Sequence, residues 1–241
     1  MAKEHQNETV AMDVIATVES PYKEKFAIPR QPGIVTCAKG KVMFLPEYNH
    51  ADIVRDIAQF SHIWVLFIFH QTQDRGWKAL VRPPRLGGNA KTGVLSTRST
   101  FRPNPIGMSV VKLDGVSLTK GGGVTLEISG LDLLDGTPVI DIKPYIPYCD
   151  AILNAQAGFA QNSPETELRV HYGESVKQQL QIIEEKHPDF STLLSQVLSQ
   201  DPRPAYKKNK PDSKVYGMAL HQYNIEWHLI EENTIEIISI K

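Results

Sequence analysis

Through its first 150 residues the sequence repeats one pattern: short runs of β-branched and aromatic residues, closed off by Gly, Pro, Asn or Asp. The runs are Val14 to Glu19, Lys41 to Leu45, Ile63 to Phe69, Gly93 to Thr97, Ser109 to Leu113, Val124 to Ser129 and Val139 to Ile142. Their length and make-up predict strands. One helix is expected among them, Ala51 to Phe60, where Ile53, Ile57 and Phe60 share a face behind Asn49 as N-cap. A doubly wound parallel sheet needs a helical crossover between successive strands, so this pattern favours a mainly β architecture, a barrel or a sandwich. No GxGxxG follows a strand, which leaves a Rossmann-type nucleotide site without support.

The pattern changes between Tyr145 and Pro164, a Pro-, Asn-, Gln- and Gly-containing stretch that reads as a linker or a long irregular loop. Helices are predicted over Glu174 to Lys186, with Val176, Leu180 and Ile183 on one face, and over Phe190 to Leu198 behind Asp189 as a cap. Strands close the chain at Val215 to His221, Ile225 to Ile230 and Thr234 to Ile240, the last two as a hairpin. The expected organisation is therefore a β domain over residues 1–150 and a smaller C-terminal α+β domain over residues 165–241. The longest apolar run, Ile63 to Phe69, is about a third of the roughly 20 residues that cross a bilayer. The polar start MAKEHQNET lacks a signal-peptide core, so a cytoplasmic location is expected. Cys37 and Cys149 fit neither a disulfide framework nor a zinc spacing; they are expected in the core, and no metal site is expected.

Lys plus Arg number 26 against 27 Asp plus Glu, a net charge of −1 that excludes a uniformly basic nucleic-acid coat. The balance is local rather than uniform. Residues 75–102 hold seven basic side chains and no acidic one, and a second basic excess comprises Arg203, Lys207, Lys208, Lys210 and Lys214. Each zone alone reads as a solvated loop; two zones with interleaved Trp77, Phe101 and Tyr206 point to a polyanion.

Chemistry-bearing residues concentrate in four loops. Ser20 to Gly33 packs three prolines and four charges into 14 residues, and Arg30 between Pro29 and Gln31 offers either a planar fork to an anion or a rigid surface turn. His70 and Gln71 stand where the Ile63 to Phe69 strand ends and side chains leave the core. In RPPRLGGNAKTGVLSTRSTFRPNPIGMS, residues 82–109, the backbone can approach a ligand closely at Gly87, Gly88 and Gly107. In LDLLDGTPVIDIKPY, Asp132 and Asp135 stand three apart, suited to a cation, a ribose diol or simply an Asp-Gly turn.

These same strings resemble the TrmO family of S-adenosylmethionine-dependent tRNA methyltransferases. The resemblance rests on SPYKEKFAIPRQPG at 20–33, FSHIWVLFIFHQT at 60–72, VRPPRLGGNAKTGVLSTRSTFRPNPIGMS at 81–109, LDLLDGTPVIDIKPYIPY at 131–148 and DPRPAY at 201–206. It implies a single-sheet β-barrel that binds S-adenosylmethionine, a C-terminal domain, and a homodimer with its site near the subunit interface. The implied reaction is methyl transfer to N6 of N6-threonylcarbamoyladenosine beside the anticodon of threonine tRNAs. Carried over by position, the cofactor contacts are Pro29, Arg30, Gln31, His70, Gln71, Arg98, Asp132, Leu133, Leu134 and Asp135, with Met108 in the same pocket. On that reading Arg30 or Arg98 takes the cofactor carboxylate, Asp132 or Asp135 the diol, and the backbone at Leu133 and Leu134 the adenine edge. His70 is the first choice of catalytic base and Asp135 the second. The expected tRNA contacts are Arg85, Arg102, Arg203, Tyr206, Lys207 and Lys208, with Arg85, Arg102 or Arg203 facing the threonyl carboxylate. The competing reading is a non-catalytic module that binds an adenine ligand or modified RNA.

Overall fold

The computed structural model describes residues 9–118, 121–163, 168–204, 207 and 213–241. The elements in chain order are strands β1 (Ala16–Glu19), β2 (Lys39–Phe44), β3 (His62–Ile68), β4 (Leu80–Val81), β5 (Thr92–Gly93), β6 (Ile106–Leu118), β7 (Val124–Ser129) and β8 (Pro138–Pro144). They are followed by the one-turn helix α1 (Pro147–Asp150), β9 (Arg169–Tyr172), α2 (Glu174–Lys186), α3 (Phe190–Ser199), β10 (Tyr216–Leu220), β11 (Tyr223–Glu231) and β12 (Thr234–Ile240).

Six of these strands close into one barrel in the order β1-β2-β7-β6-β3-β8, and β8 pairs back onto β1 through Ala16 and Val139. Every pairing in it is antiparallel. Closure explains the strand pattern: β3 alternates, with Ile63, Val65 and Phe67 buried and His62, Trp64, Leu66 and Ile68 facing outward, because only one face of a barrel strand meets the interior. The run is therefore half buried rather than wholly buried as its composition suggests. The interior is filled by aliphatic side chains such as Val18, Val42, Ile63, Val111, Leu126 and Val139.

The helix expected over Ala51 to Phe60 does not form. Two short 3-10 turns, Ala51–Val54 and Ile57–Gln59, replace it, broken at Asp56, whose φ of 67° is left-handed. Ile53 and Phe60 are exposed, so their spacing buries no face; Asn49, instead of capping a helix, accepts a hydrogen bond from the Val124 amide. Of the expected strand Gly93 to Thr97, only Gly93 lies in β5, and Val94–Ser96 is a 3-10 turn.

The C-terminal elements form a four-stranded sheet, β10-β11-β12-β9, with α2 and α3 packed on it through Val176, Leu180, Leu194 and Val197. The parallel partner β9 was not foreseen, because four residues carry too little alternation to register. Asp189 precedes α3 but does not cap it; its carboxylate meets Lys39 at 3.4 Å. The expected linker contains α1, held against β3 by the Trp64 Nε1 donation to Asp150 at 3.0 Å. Cys149 on that helix is exposed rather than in the core, whereas Cys37 is half-buried and its Sγ donates to Gln196 Oε1 at 3.2 Å.

The sheet and the barrel meet at the loop after β1. Tyr22 pairs with Leu220, the His221 amide donates to the Pro21 carbonyl at 2.7 Å, and the Ala219 amide donates to Glu24 Oε1 at 3.1 Å. Tyr22 is fully buried in that junction, and burial pushes its phenol far above its usual range. The start of the loop that carries Arg30 is thus tied to the C-terminal sheet.

Candidate active site

At one end of the barrel the loop after β1, the end of β3, the start of β6 and the loop before β8 surround a cavity of about 560 Å³. Volumes of about 300–1,000 Å³ are those of small-molecule and cofactor pockets. Of the positions expected to touch a cofactor, Pro29, Arg30, Gln31, His70, Gln71, Arg98, Met108, Asp132, Leu133 and Leu134 line this space. Residues separated by more than 100 positions in the chain are brought to one mouth by barrel closure.

Local sequence explains how the floor is set. Leu131 and Leu133 are buried at 0% and 1% exposure, each anchoring the loop with about 1.5–3 kcal/mol of burial. Asp132 and Leu134 between and after them are less deeply buried and, with Leu133, line the cavity. The Asp132 carboxylate accepts a hydrogen bond from the buried Ser109 hydroxyl at 2.5 Å. Burial raises its pKa to about 6, against the opposing pull of the Ser109 hydrogen bond and the Arg98 charge. The Leu134 carbonyl already accepts from the Thr137 amide and hydroxyl, so it is the rest of that backbone that remains for a ligand.

Asp135 does not line the cavity. Its Oδ1 accepts from the Ser20 amide at 2.9 Å, its Oδ2 pairs with Lys23 at 2.7 Å, and its own amide donates to the Tyr22 carbonyl. Followed by Gly136 at φ 73°, it forms the Asp-Gly turn that sequence left open, with its carboxylate held by Ser20 and Lys23.

The walls are strongly cationic: Lys25, Arg30, Arg75, Arg98 and Arg102 line the cavity, and Asp132 is the carboxylate among its lining residues. Three of the five are engaged. Arg98 Nη1 donates to Gln31 Oε1 at 2.7 Å, Arg102 Nη1 donates to the Thr97 and Val94 carbonyls at 2.5 and 3.3 Å, and Lys25 leans over the Phe26 ring. Arg75, Phe67, Phe69, Thr100 and Ser109 are lining residues that sequence reasoning did not select; the one available signal was the length of the basic run that opens with Arg75. Gly107, expected to let a ligand approach, lies under a ring instead: a Cβ there would stand 2.3 Å from Phe67 Cζ.

Two expected RNA contacts are placed differently. Arg203 is 3% exposed, and its Nε and Nη2 donate to both oxygens of the buried Asp201 at 2.7 Å, so it braces the chain after α3 instead of facing an RNA. Arg85 donates to the Asn162 carbonyl and ties the loop before β5 to the 158–160 turn, away from the cavity. Lys207 lies three residues past the Pro204 carbonyl that its amide contacts at 2.8 Å, while Tyr206, Lys208 and Lys210 fall outside the described residues.

A family model described as the tRNA-methyltransferase O N-terminal domain matches residues 17–151, and one described as the TrmO C-terminal domain matches residues 165–241. The chain belongs to the TrmO family. It is 50% identical over 217 residues to the tRNA (adenine(37)-N6)-methyltransferase of Escherichia coli K12, covering 90% of this chain and 92% of that protein. It is 40% identical over 233 residues to a putative S-adenosylmethionine-dependent methyltransferase of Pseudomonas aeruginosa, covering 96% and 98%. A crystal structure of TrmO from Pseudomonas aeruginosa superposes with a TM-score of 0.80 at 36% identity, covering 99% of each chain. The mainly β reading and the single-sheet barrel are thereby borne out. No helix among the described residues is long and apolar enough to cross a membrane.

Proposed function

We propose that this chain transfers the methyl group of S-adenosylmethionine to N6 of N6-threonylcarbamoyladenosine at position 37 of threonine tRNAs. That it is a methyltransferase acting at N6 of adenine 37 in tRNA follows from membership of the TrmO family and from its 50% identity to the Escherichia coli enzyme of that name. The threonylcarbamoyl substrate and the isoacceptor are our reading. The observation that carries it is the cavity: a cationic cleft, one protonatable carboxylate on its floor, and a His at its edge.

The residues fit the donor. S-adenosylmethionine supplies an electrophilic methyl on a sulfonium, together with a carboxylate, a diol and an adenine. Arg30, whose guanidinium has no hydrogen bond or ion pair to other described residues, is suited to the carboxylate. Asp132 accepts from a hydroxyl or amino group, and Leu133, Leu134 and Met108 supply an apolar bed. The walls Pro29–Gln31 and His70–Gln71 hold the reactants in line, and positioning of this kind is worth several kcal/mol of barrier. The acceptor nitrogen carries a purine and a carbamoyl group, so its lone pair is delocalised and removal of its proton helps. On this reading His70, which starts the 3-10 turn after β3 and lines the cavity, accepts it. Lys78, Arg82 and Lys91, the exposed basic side chains of the run that do not line the cavity, meet the RNA backbone. On the same reading the enzyme is a cytoplasmic homodimer whose C-terminal domain flanks the bound tRNA.

The test is transfer of labelled methyl from S-adenosylmethionine to threonine tRNA with and without threonylcarbamoyladenosine. Label on the modified tRNA alone supports the reading. Cofactor binding without label on either RNA supports the non-catalytic module instead.

A further inference from the structure

We infer that Arg75 is the side chain that reads the carboxylate of the threonyl group on the acceptor nucleotide. The inference rests on the proposed substrate and deepens it. That substrate and the methyl donor each bring one carboxylate into the cleft, and each carboxylate entering a partly desolvated site requires a cation. Of the three arginines first expected to serve the threonyl group, Arg203 is paired with buried Asp201, Arg85 donates to the Asn162 carbonyl, and Arg102 commits its Nη1 to the Thr97 and Val94 carbonyls. Arg98 is bonded to Gln31, and Lys25 is a point charge over a ring. Two guanidinium forks on the cavity wall then have no hydrogen bond or ion pair among the described residues, Arg30 and Arg75. Two forks face two carboxylates.

Their positions separate the roles. Arg30 belongs to the wall that runs through Gln31 and Arg98 to Asp132, where the Arg98 charge acts on the Asp132 carboxylate. Arg75 ends the 3-10 turn His70–Arg75, whose first residue is the proposed proton acceptor. Five residues at about 2 Å rise put its Cα about 10 Å along the turn from His70, a span that a long side chain leaning back can bridge toward a group several bonds from the reacting nitrogen. Gly76, at φ 64°, stops the turn there and leaves Arg75 exposed at the lip. The stem of that lip is fixed, because the Lys78 amide donates to the Phe101 carbonyl at 3.2 Å and Lys78 Nζ sits 4.6 Å from the Phe101 ring centroid. A planar fork on a braced turn recognises a carboxylate in two parallel hydrogen bonds, which a lysine cannot reproduce.

The experiment compares kcat/KM for methyl transfer to threonine tRNA carrying threonylcarbamoyladenosine and to the same tRNA with the threonyl carboxyl converted to its amide. Wild-type protein is expected to prefer the carboxylate by roughly 10–100-fold, the loss of one charge-assisted bidentate contact. Arg75→Ala is expected to abolish that preference, to leave the amide substrate within about twofold and to leave cofactor affinity unchanged; Arg75→Lys restores part of the preference. Three results overturn the inference: a preference undiminished in Arg75→Ala, an equal loss on both tRNAs with a shallower salt dependence, which marks a phosphate contact, or a loss of cofactor binding. Should wild-type protein label neither tRNA, the methyl-transfer reading itself fails. Equilibrium binding of the two tRNAs then decides Arg75 alone, a carboxylate preference removed by the substitution supporting its role and equal affinities refuting it.

Discussion

Replacing Asp132 with Asn is expected to stabilise the fold at neutral pH while removing an acceptor that the site needs. The carboxyl has its pKa raised by burial from an ordinary 3.8 to about 6 in the folded chain. As pH rises through about 4 the unfolded chain ionises first, while the folded chain keeps its proton until about pH 6. Stability therefore falls across that interval and stays reduced above it. Two units at about 1.36 kcal/mol each make close to 3 kcal/mol, and solvent reaching the open cavity lowers the expectation to about 2 kcal/mol. An amide carries no charge to desolvate, and its oxygen still accepts from Ser109. For a chain of this size that gain is a rise in Tm of roughly 4–8 °C. Thermal melts of both proteins from about pH 4 to pH 8 measure it: the curves converge at the acid end, diverge between about pH 4 and pH 6 and stay a constant distance apart above that. A variant less stable than wild type at pH 7.5, or a difference that does not change with pH, would refute the reasoning.

Three further outcomes are expected. Gly107→Ala forces a Cβ to within 2.3 Å of the Phe67 ring across the β3–β6 pair, so it destabilises by about 1–3 kcal/mol and weakens cofactor binding, read by denaturant titration and calorimetry. Arg203→Ala strands the buried Asp201 carboxylate and costs about 3–5 kcal/mol of folding stability in chemical denaturation, whereas an RNA-binding defect at unchanged stability would mean that the side chain faces the RNA. His70→Ala lowers turnover at saturating cofactor by about 100-fold or more with the cofactor still bound, and full turnover would remove His70 from the proton transfer.

The local records in the sequence are those that needed no distant partner. Val124 to Ser129, Glu174 to Lys186 and Thr234 to Ile240 were legible to the residue, because alternation and helical periodicity are written within each segment. The Ala51 to Phe60 helix failed for the opposite reason: its spacing was right, but no surface of the barrel receives Ile53 or Phe60. In the candidate site, ten of the positions expected as cofactor contacts line the cavity. Sequence reasoning could not separate Asp132 from Asp135, since what distinguishes the two carboxylates is contact with Ser109 in one case and with Ser20 and Lys23 in the other.

What the sequence determined by itself is the type of architecture and the inventory of groups: short strands that favour a barrel or a sandwich, two carboxylates three apart at Asp132 and Asp135, and an Arg-rich loop segment. What only the tertiary structure decided is which of those groups are free to act. Ser20 and Asp135 lie 115 positions apart, and Arg85 and Asn162 lie 77 apart. A charge is available or consumed according to its neighbours in space, and those neighbours exist only once the barrel has closed and the C-terminal sheet has docked on the loop after β1.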